Sequence, residues 1–341
     1  MRRVNLAVIG CGFIAETAHI PNAMSIPEAR LVAVADVDEE RLKLVEQKFG
    51  VKECHLDYHE VLSRPDVDAV LICTPTSTHA QISIEAVGEG KHVFVEKPMT
   101  MNSTEAEKVV EAVRESGVKF MVGMNHRFVP SHRIARRFVR EGRIGDVVYA
   151  EAHGETLVVK PEEGALLDYG VHLVDLLCWY LSDRQPVKVA GFLHSRPGEQ
   201  KDTEAVVTML FSDGVIGQVK VVWMKEFTSW GAVDRYVKIV GTKGKIVSEL
   251  TGPGFTIYRE GSLMSRVRGP QRIVPRRVVS PHIPLTQAAY RLELEHFLTS
   301  IIRDRKPESN ELEGLKVMRI LDAAYESFRE GRFVGLPGVG G

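Results

Sequence analysis

From Val4 to about Val122 the chain alternates short apolar runs with amphipathic segments. Val4–Gly10, Leu31–Asp36, Ala69–Thr74, His92–Glu96 and Lys119–Val122 are rich in Val, Ile or Leu and lack long polar interruptions, which predicts buried strands. Between them, Ala80–Val87 and Thr104–Ser116 space their apolar residues as helices do. Asn102, with Glu105 at the third position after it, predicts a capped start for the second helix. Repeated strand, helix, strand implies a mostly parallel, doubly wound sheet.

Beyond Val122 the period changes. Val147–Val159, Val187–Leu193, Asp202–Phe211, Val215–Trp223, Arg235–Val240 and Lys245–Leu250 alternate, with turns such as Ser212-Asp213-Gly214 and Thr242-Lys243-Gly244 between them. Alternation with tight turns predicts an antiparallel sheet, and strands grouped without interleaved helices predict a separate α+β domain. The expected division is therefore residues 1–123 and 124–335, with the boundary near Gly123–Pro130. Gly252–Pro275 reads as irregular and locally basic, with Arg268 and Arg272 followed closely by Arg276 and Arg277. Leu285–Ile302 and Leu312–Phe328 read as amphipathic helices, and Gly335–Gly341 as a frayed tail.

With 341 residues, 44% hydrophobic and 26% charged, the chain has enough apolar material for sizeable cores. Its 44 Lys plus Arg balance 45 Asp plus Glu, so no net field draws nucleic acid or an acidic membrane, and the expected partner is a small molecule. Cys11, Cys54, Cys73 and Cys178 form neither a zinc pattern nor a disulfide framework, so a reducing compartment is expected. No apolar stretch approaches the ~20 residues of a membrane span. Arg2-Arg3 followed by Val4–Ala15 mimics a secretion signal, but the stretch carries a glycine pattern that a discarded peptide does not need. The protein is read as cytoplasmic.

That pattern, Gly10-Cys11-Gly12-Phe13-Ile14-Ala15, ends the first strand and opens a helix. Gly10 permits a tight turn, Gly12 lets a pyrophosphate approach the backbone, and Ala15 lets helix and sheet pack closely. Asp36 ends the second strand, roughly the ~20 residues onward at which an acid accepts both ribose hydroxyls of a dinucleotide. Asp36 and Asp38 would repel a 2′-phosphate, which favours NAD over NADP, although Arg41 stands nearby. Two further strand ends carry loops. Thr74-Pro75-Thr76-Ser77-Thr78-His79 offers hydroxyls that can border a cofactor, and a proline turn into a capped helix explains it equally well. Glu96-Lys97-Pro98 sets an acid and a base at the sheet edge, where Pro98 stiffens the turn.

Gly164–Leu181 is long enough for a helix, yet between Ala165 and Leu181 its ionisable groups besides two tyrosines and a cysteine are Asp168, His172 and Asp175. At 3.6 residues per turn these three fall within a stripe of roughly 60°. Buried titratable groups need partners, so the stripe faces either a satisfied His–Asp pairing or a wet cleft. A dinucleotide half, a strand-end lysine and such a histidine are the parts needed to oxidise an alcohol. His172 removes the hydroxyl proton, Asp168 orients the ring, and Lys97 hydrogen-bonds the substrate oxygen. His55 and His59 have a metal-compatible spacing but no third ligand, so no metal is expected.

These residues, with Asn125-His126-Arg127-Phe128-Val129-Pro130, Asp168-Tyr169-Gly170-Val171-His172 and Gly241-Thr242-Lys243-Gly244, resemble the glucose-fructose oxidoreductase and inositol dehydrogenase family (Gfo/Idh/MocA) over nearly the whole chain. The resemblance implies an α/β fold, with an N-terminal Rossmann domain followed by an α+β domain bearing a large, mostly antiparallel sheet. It implies Lys97, Asp168 and His172 as catalytic residues, and a cofactor site of Gly10, Gly12, Phe13, Ile14, Asp36, Thr74, Pro75, His79, Glu96, Lys97 and Asn125. Within that site Glu96 is expected near the nicotinamide ribose. It further implies that Asp175 touches substrate hydroxyls, that Asn125 or Arg127 lies beside cofactor or substrate, and that the second-domain sheet joins a homodimer or homotetramer. His153, Arg127 and Trp223 are further polar partners for a polyhydroxylated substrate. The expected activity is NAD-dependent dehydrogenation of a sugar, cyclitol or sugar derivative. A nucleotide-binding sensor and an NAD-assisted glycoside hydrolase are the competing readings.

Overall fold

The computed structural model describes residues 3–156, 163–224, 234–249, 254–259, 270–273 and 285–337. The chain forms two compact units. The first comprises Met1–Asn125 and Tyr290–Met318, and the second His126–Ala289 and Arg319–Gly341.

The first unit is built on β1 (Val4–Ile9), β2 (Ala29–Ala35), β3 (Cys54–His55), β4 (Ala69–Ile72), β5 (His92–Glu96) and β6 (Phe120–Gly123). They form one parallel sheet in the order β3-β2-β1-β4-β5-β6, the dinucleotide-binding order that reverses at β1. Burial of β1, β4 and β5 explains the unbroken apolar runs, because helices cover both faces of a parallel sheet. The connecting helices are α1 (Ile20–Ser25), α2 (Glu39–Phe49), α3 (Tyr58–Leu62), α4 (His79–Gly88) and α5 (Ser103–Ser116). Asn102 caps α5 by accepting the Glu105 N–H at 2.9 Å, while Glu105 accepts the Met101 N–H at 3.1 Å, as the spacing predicts.

The second unit contains α6 (Pro130–Arg140), β7 (Val147–Thr156) and α7 (Val171–Tyr180), then β8 (Pro186–His194), β9 (Glu204–Phe211), β10 (Ile216–Trp223), β11 (Arg235–Gly241), β12 (Gly244–Glu249), β13 (Phe255–Arg259) and β14 (Gln271–Ile273). With β15 (Val334–Gly335) these make a nine-stranded sheet, β14-β13-β12-β11-β7-β10-β9-β8-β15. All its pairs are antiparallel except β7 with β10. β13 and β14 correct the expectation that Gly252–Pro275 is irregular, and β15 corrects the frayed start of the tail. The expected strand residues 157–159 and Leu250, with Arg268, Arg276 and Arg277, lie outside the described residues.

The chain also returns to the first unit after residue 289. Helices α8 (Leu285–Ile302) and α9 (Glu311–Glu330) each begin in one unit and end in the other. Within the first unit the Ser309 hydroxyl donates to the Val122 carbonyl at 2.8 Å, and a Cβ at Gly314 would stand 2.5 Å from Met99 Sδ. Such close packing against β6 cannot be read from a local period.

Candidate active site

Gly10 has φ +91°, and a Cβ there would lie 2.7 Å from the Cys73 backbone carbon, so only glycine fits between two strand ends. Beside Gly12, by contrast, Arg41 alone comes near, at 3.9 Å, which leaves the approach that a pyrophosphate needs. Helical structure begins at Phe13, whose side chain is 80% exposed, and Ala15–His19 form one turn of π-helix.

Asp36 lies at the end of β2. Its Oδ2 accepts the Cys11 N–H at 2.6 Å, its Oδ1 accepts the Asp38 N–H at 2.9 Å, and Arg41 Nη1 stands 3.8 Å away. Backbone donors thus aim the carboxylate at the glycine turn. Burial, then the Asp36 charge, pushes the Cys11 thiol up to about 12, so Cys11 is not a nucleophile here. The four cysteines are free thiols. Asn125 is buried, and its amide oxygen has no hydrogen-bond partner among the described residues. An orphaned acceptor of that kind fits a site that takes a ligand donor.

Two expected cofactor residues also brace the strand-end loops. Both ring nitrogens of His79 face backbone carbonyls, Nδ1 that of Pro98 at 2.8 Å and Nε2 that of Thr74 at 2.9 Å. His79 therefore ties the two strand-end loops together, while Thr74 and Pro75 stay accessible. Glu96 points inward, with Oε1 2.6 Å from His19 Nε2 and Oε2 accepting the Lys97 N–H at 3.1 Å. It thereby holds the backbone of Lys97. Lys97 itself is half-buried at the end of β5.

Glu293, on α8, completes a buried group with His19 and Glu96, their ligand-type atoms all within 4.8 Å. The His19–Glu96 contact is a hydrogen bond, since two donors on one tetrahedral ion sit roughly 3.3 Å apart. Burial and the neighbouring Glu96 push the Glu293 carboxyl well above its ordinary value of 4.5, whereas burial of Glu96 is outweighed by His19 and Lys97, which hold it low. Glu293 therefore keeps its proton when folded and loses it when unfolded, so stability falls as pH rises from that ordinary value towards the folded one. Glu293→Gln is expected to flatten this decline in thermal melts across the neutral range; an unchanged slope would refute the buried neutral acid.

In the second unit, the expected single helix at Gly164–Leu181 is a π-helical turn, Leu166–Gly170, followed by α7. The wider i→i+5 turn breaks the α-helical phase between Asp168 and His172. His172 and Asp175 lie on α7 and are met by consecutive residues of the Asn125–Phe128 turn. The His126 ring stacks on His172, centroids 4.3 Å apart and planes at 13°. Arg127 grips Asp175 bidentately, Nε to Oδ2 at 2.8 Å and Nη2 to Oδ1 at 2.5 Å. Tyr169 stands edge-on to His172 at 5.7 Å, and burial pushes its phenol up to about 12 despite Arg235, whose guanidinium lies 5.0 Å from the ring centre.

Sequence reasoning missed His126. It sits beside Arg127 in a motif already singled out, but a contact between residues so far apart in the chain leaves no local signal. Arg127 and Asp175 are each 1% exposed and engaged with each other, and the pair anchors α7. His153 is corrected. On β7, Gly154 faces α7, where a Cβ would collide with Tyr169, so His153 points to the opposite sheet face and stacks on Tyr236 at 5.4 Å. Trp223 is fully buried in the sheet's helix-covered face. The His55 ring hydrogen-bonds Glu60 at 2.9 Å and the His59 ring hydrogen-bonds Asp57 at 2.6 Å.

Comparison with known proteins matches residues 4–124 to the oxidoreductase family's NAD-binding Rossmann fold, GFO_IDH_MocA, and residues 136–336 to that family's C-terminal alpha/beta domain. The chain belongs to the Gfo/Idh/MocA oxidoreductase family. It is 31% identical to scyllo-inositol 2-dehydrogenase (NAD(+)) of Bacillus subtilis, over 98% of this chain and 96% of that one. It is 26% identical to inositol 2-dehydrogenase of Rhizobium meliloti, over 98% and 99%. Among solved structures, an oxidoreductase domain protein from Kribbella flavida aligns at TM-score 0.87 and 25% identity, covering 99% of this chain and all of that one. Levoglucosan dehydrogenase with NADH and levoglucosan shares the fold at TM-score 0.88 and 21% identity, covering 99% and 100%. As a family member the protein is an NAD-binding hydride-transfer oxidoreductase, and no helix among the described residues is long and apolar enough to cross a membrane.

Proposed function

We propose that this oxidoreductase dehydrogenates one secondary hydroxyl of a cyclitol, sugar or sugar derivative, with NAD preferred over NADP. The observation that carries the reading is the end-to-end likeness to an NAD(+)-dependent inositol dehydrogenase, in a chain that bears Lys97, Asp168 and His172. The Gly10 turn, Gly12, Phe13 and Ile14 would hold the pyrophosphate side of the cofactor, Asp36 the adenosine ribose, and Thr74, Pro75 and Asn125 the remainder. The chemistry NAD supplies when bound is acceptance of a hydride from a hydroxyl-bearing carbon. His172 takes the hydroxyl proton, Asp168 favours the charged ring that results, and Lys97 donates to the substrate oxygen and steadies its developing negative charge.

The NAD preference rests on Asp36, because a 2′-phosphate would meet its carboxylate and that of Asp38, with Arg41 as the opposing charge. The test mixes protein with NAD or NADP and a panel of inositols and aldoses, and follows the reduced cofactor. NAD is expected to be favoured by about tenfold or more, since a 2′-phosphate would face two carboxylates against one guanidinium. Equal rates would end the preference. Silence across the panel in both directions, with an aryl glycoside cleaved instead, would replace the dehydrogenase reading.

The sheet face carrying His153 also bears Val206, Leu210, Val222, Val240 and Val247, all half-exposed around a polar centre at Glu151. Glu151 is held down to about 2: burial raises it, but Lys238 and Tyr236 outweigh this. A mixed face of this kind supports self-association of the protein through the sheet, which a monomer in light scattering would exclude. The four scattered free cysteines support a cytoplasmic location.

A further inference from the structure

The turn before α6 docks on α7 at two successive points, and only the second, Arg127 on Asp175, is an ion pair. At the first, the near-parallel rings of His126 and His172 lie 4.3 Å apart, both largely buried. Tyr169 stands edge-on to both rings, at 5.9 Å from His126 and 5.7 Å from His172. The two imidazoles therefore form one stacked unit with an aromatic wall at its edge.

We propose that His126 is a positioning residue for His172: its ring fixes the plane of the base and shares a single proton with it. The proposal rests on the reading of His172 as the base. Two imidazolium rings at this separation repel, so the second proton enters the pair only at much lower pH than the first. A proton shared evenly between the two rings leaves His172 neutral in about half of the molecules. A lone histidine would instead lose its neutral form about tenfold for each pH unit below its midpoint.

Asp168 and Tyr169 precede His172 on the π-helical turn, Asp175 follows it on α7, and its charge is matched by Arg127. Arg235 of β11 stands against the Tyr169 ring, and β7 and β10 bring Gly154 and Val221 against the same turn.

The experiment compares wild type with His126→Phe, which keeps a flat ring but carries no proton, and with His126→Ala. One readout is the NMR titration of the His172 ring, assigned by its loss in His172→Gln; the other is kcat and KM against pH. In wild type the acid limb of kcat is expected to be shallow, reaching a shoulder near half-maximal activity. In His126→Phe it should fall steeply, to about one-fifth of the wild-type fraction one pH unit below the midpoint. His126→Ala should show the same steep limb and a kcat lowered about tenfold at the optimum, with KM little changed, because the ring plane is no longer fixed. His172 titrations and acid limbs that superimpose in wild type and His126→Phe would overturn the proposal, as would a limb that moves while the ring titration does not. If His172→Gln itself leaves kcat unchanged, the base assignment falls and this proposal with it. If His172→Gln is inactive and the profiles still superimpose, the shared proton alone is refuted.

Discussion

His172→Gln and Lys97→Ala are each expected to lower kcat by about 10²- to 10⁴-fold while leaving NAD affinity within a few-fold of wild type. Glutamine can hydrogen-bond but cannot accept the hydroxyl proton near neutrality, so the alkoxide character that drives hydride departure must develop unaided. On the proposed reading, alanine at position 97 removes the ammonium that would stabilise the same oxygen. Acting on one proton transfer, the two residues should be non-additive, and the double variant should be scarcely slower than the worse single one. Steady-state kinetics with calorimetric titration of NAD separates chemistry from binding. Single variants that retain activity within a few-fold would remove these residues from the mechanism.

Arg127→Met is expected to destabilise the second unit by about 3–5 kcal/mol, because the Asp175 carboxylate would stay buried without its counter-charge. At about 2–4 °C per kcal/mol for a unit of this size, Tm should fall by roughly 6–20 °C. Arg127→Lys should recover only part of the loss, since an ammonium cannot reproduce the two parallel hydrogen bonds at 2.8 and 2.5 Å. Arg127→Met combined with Asp175→Leu should recover more, because an apolar pair removes the stranded charge. Denaturant melts check the series. An Arg127→Met protein as stable as wild type would show that the pair is not what fastens α7 to the preceding turn.

Five of the six strands of the parallel sheet were legible because their apolar composition marks them as buried, whereas β3, two half-buried residues, carries no such signal. The glycine turn was legible for a similar reason: Gly10 and Asp36 belong to adjacent strand ends, and their spacing along the chain follows from one helix between two strands. Residues whose partners come from elsewhere were read less well. Glu96 and His79 have the look of ligand residues, and each is occupied by a neighbour in the first unit. His153 sits in a clean alternating strand, but alternation does not say which face a helix covers; Gly154, packed under Tyr169, decides that.

The sequence by itself determined the types of most elements, the dinucleotide turn and the family, since these depend on periods and spacings within a few dozen residues. Tertiary structure alone decided which partners the buried groups meet: Asp175 the guanidinium of Arg127, 48 residues away, Glu96 the ring of His19, and His172 the face of a second imidazole. The physical reason is that burying a polar group requires a partner but leaves its identity to whichever remote segment the packing brings within hydrogen-bonding reach.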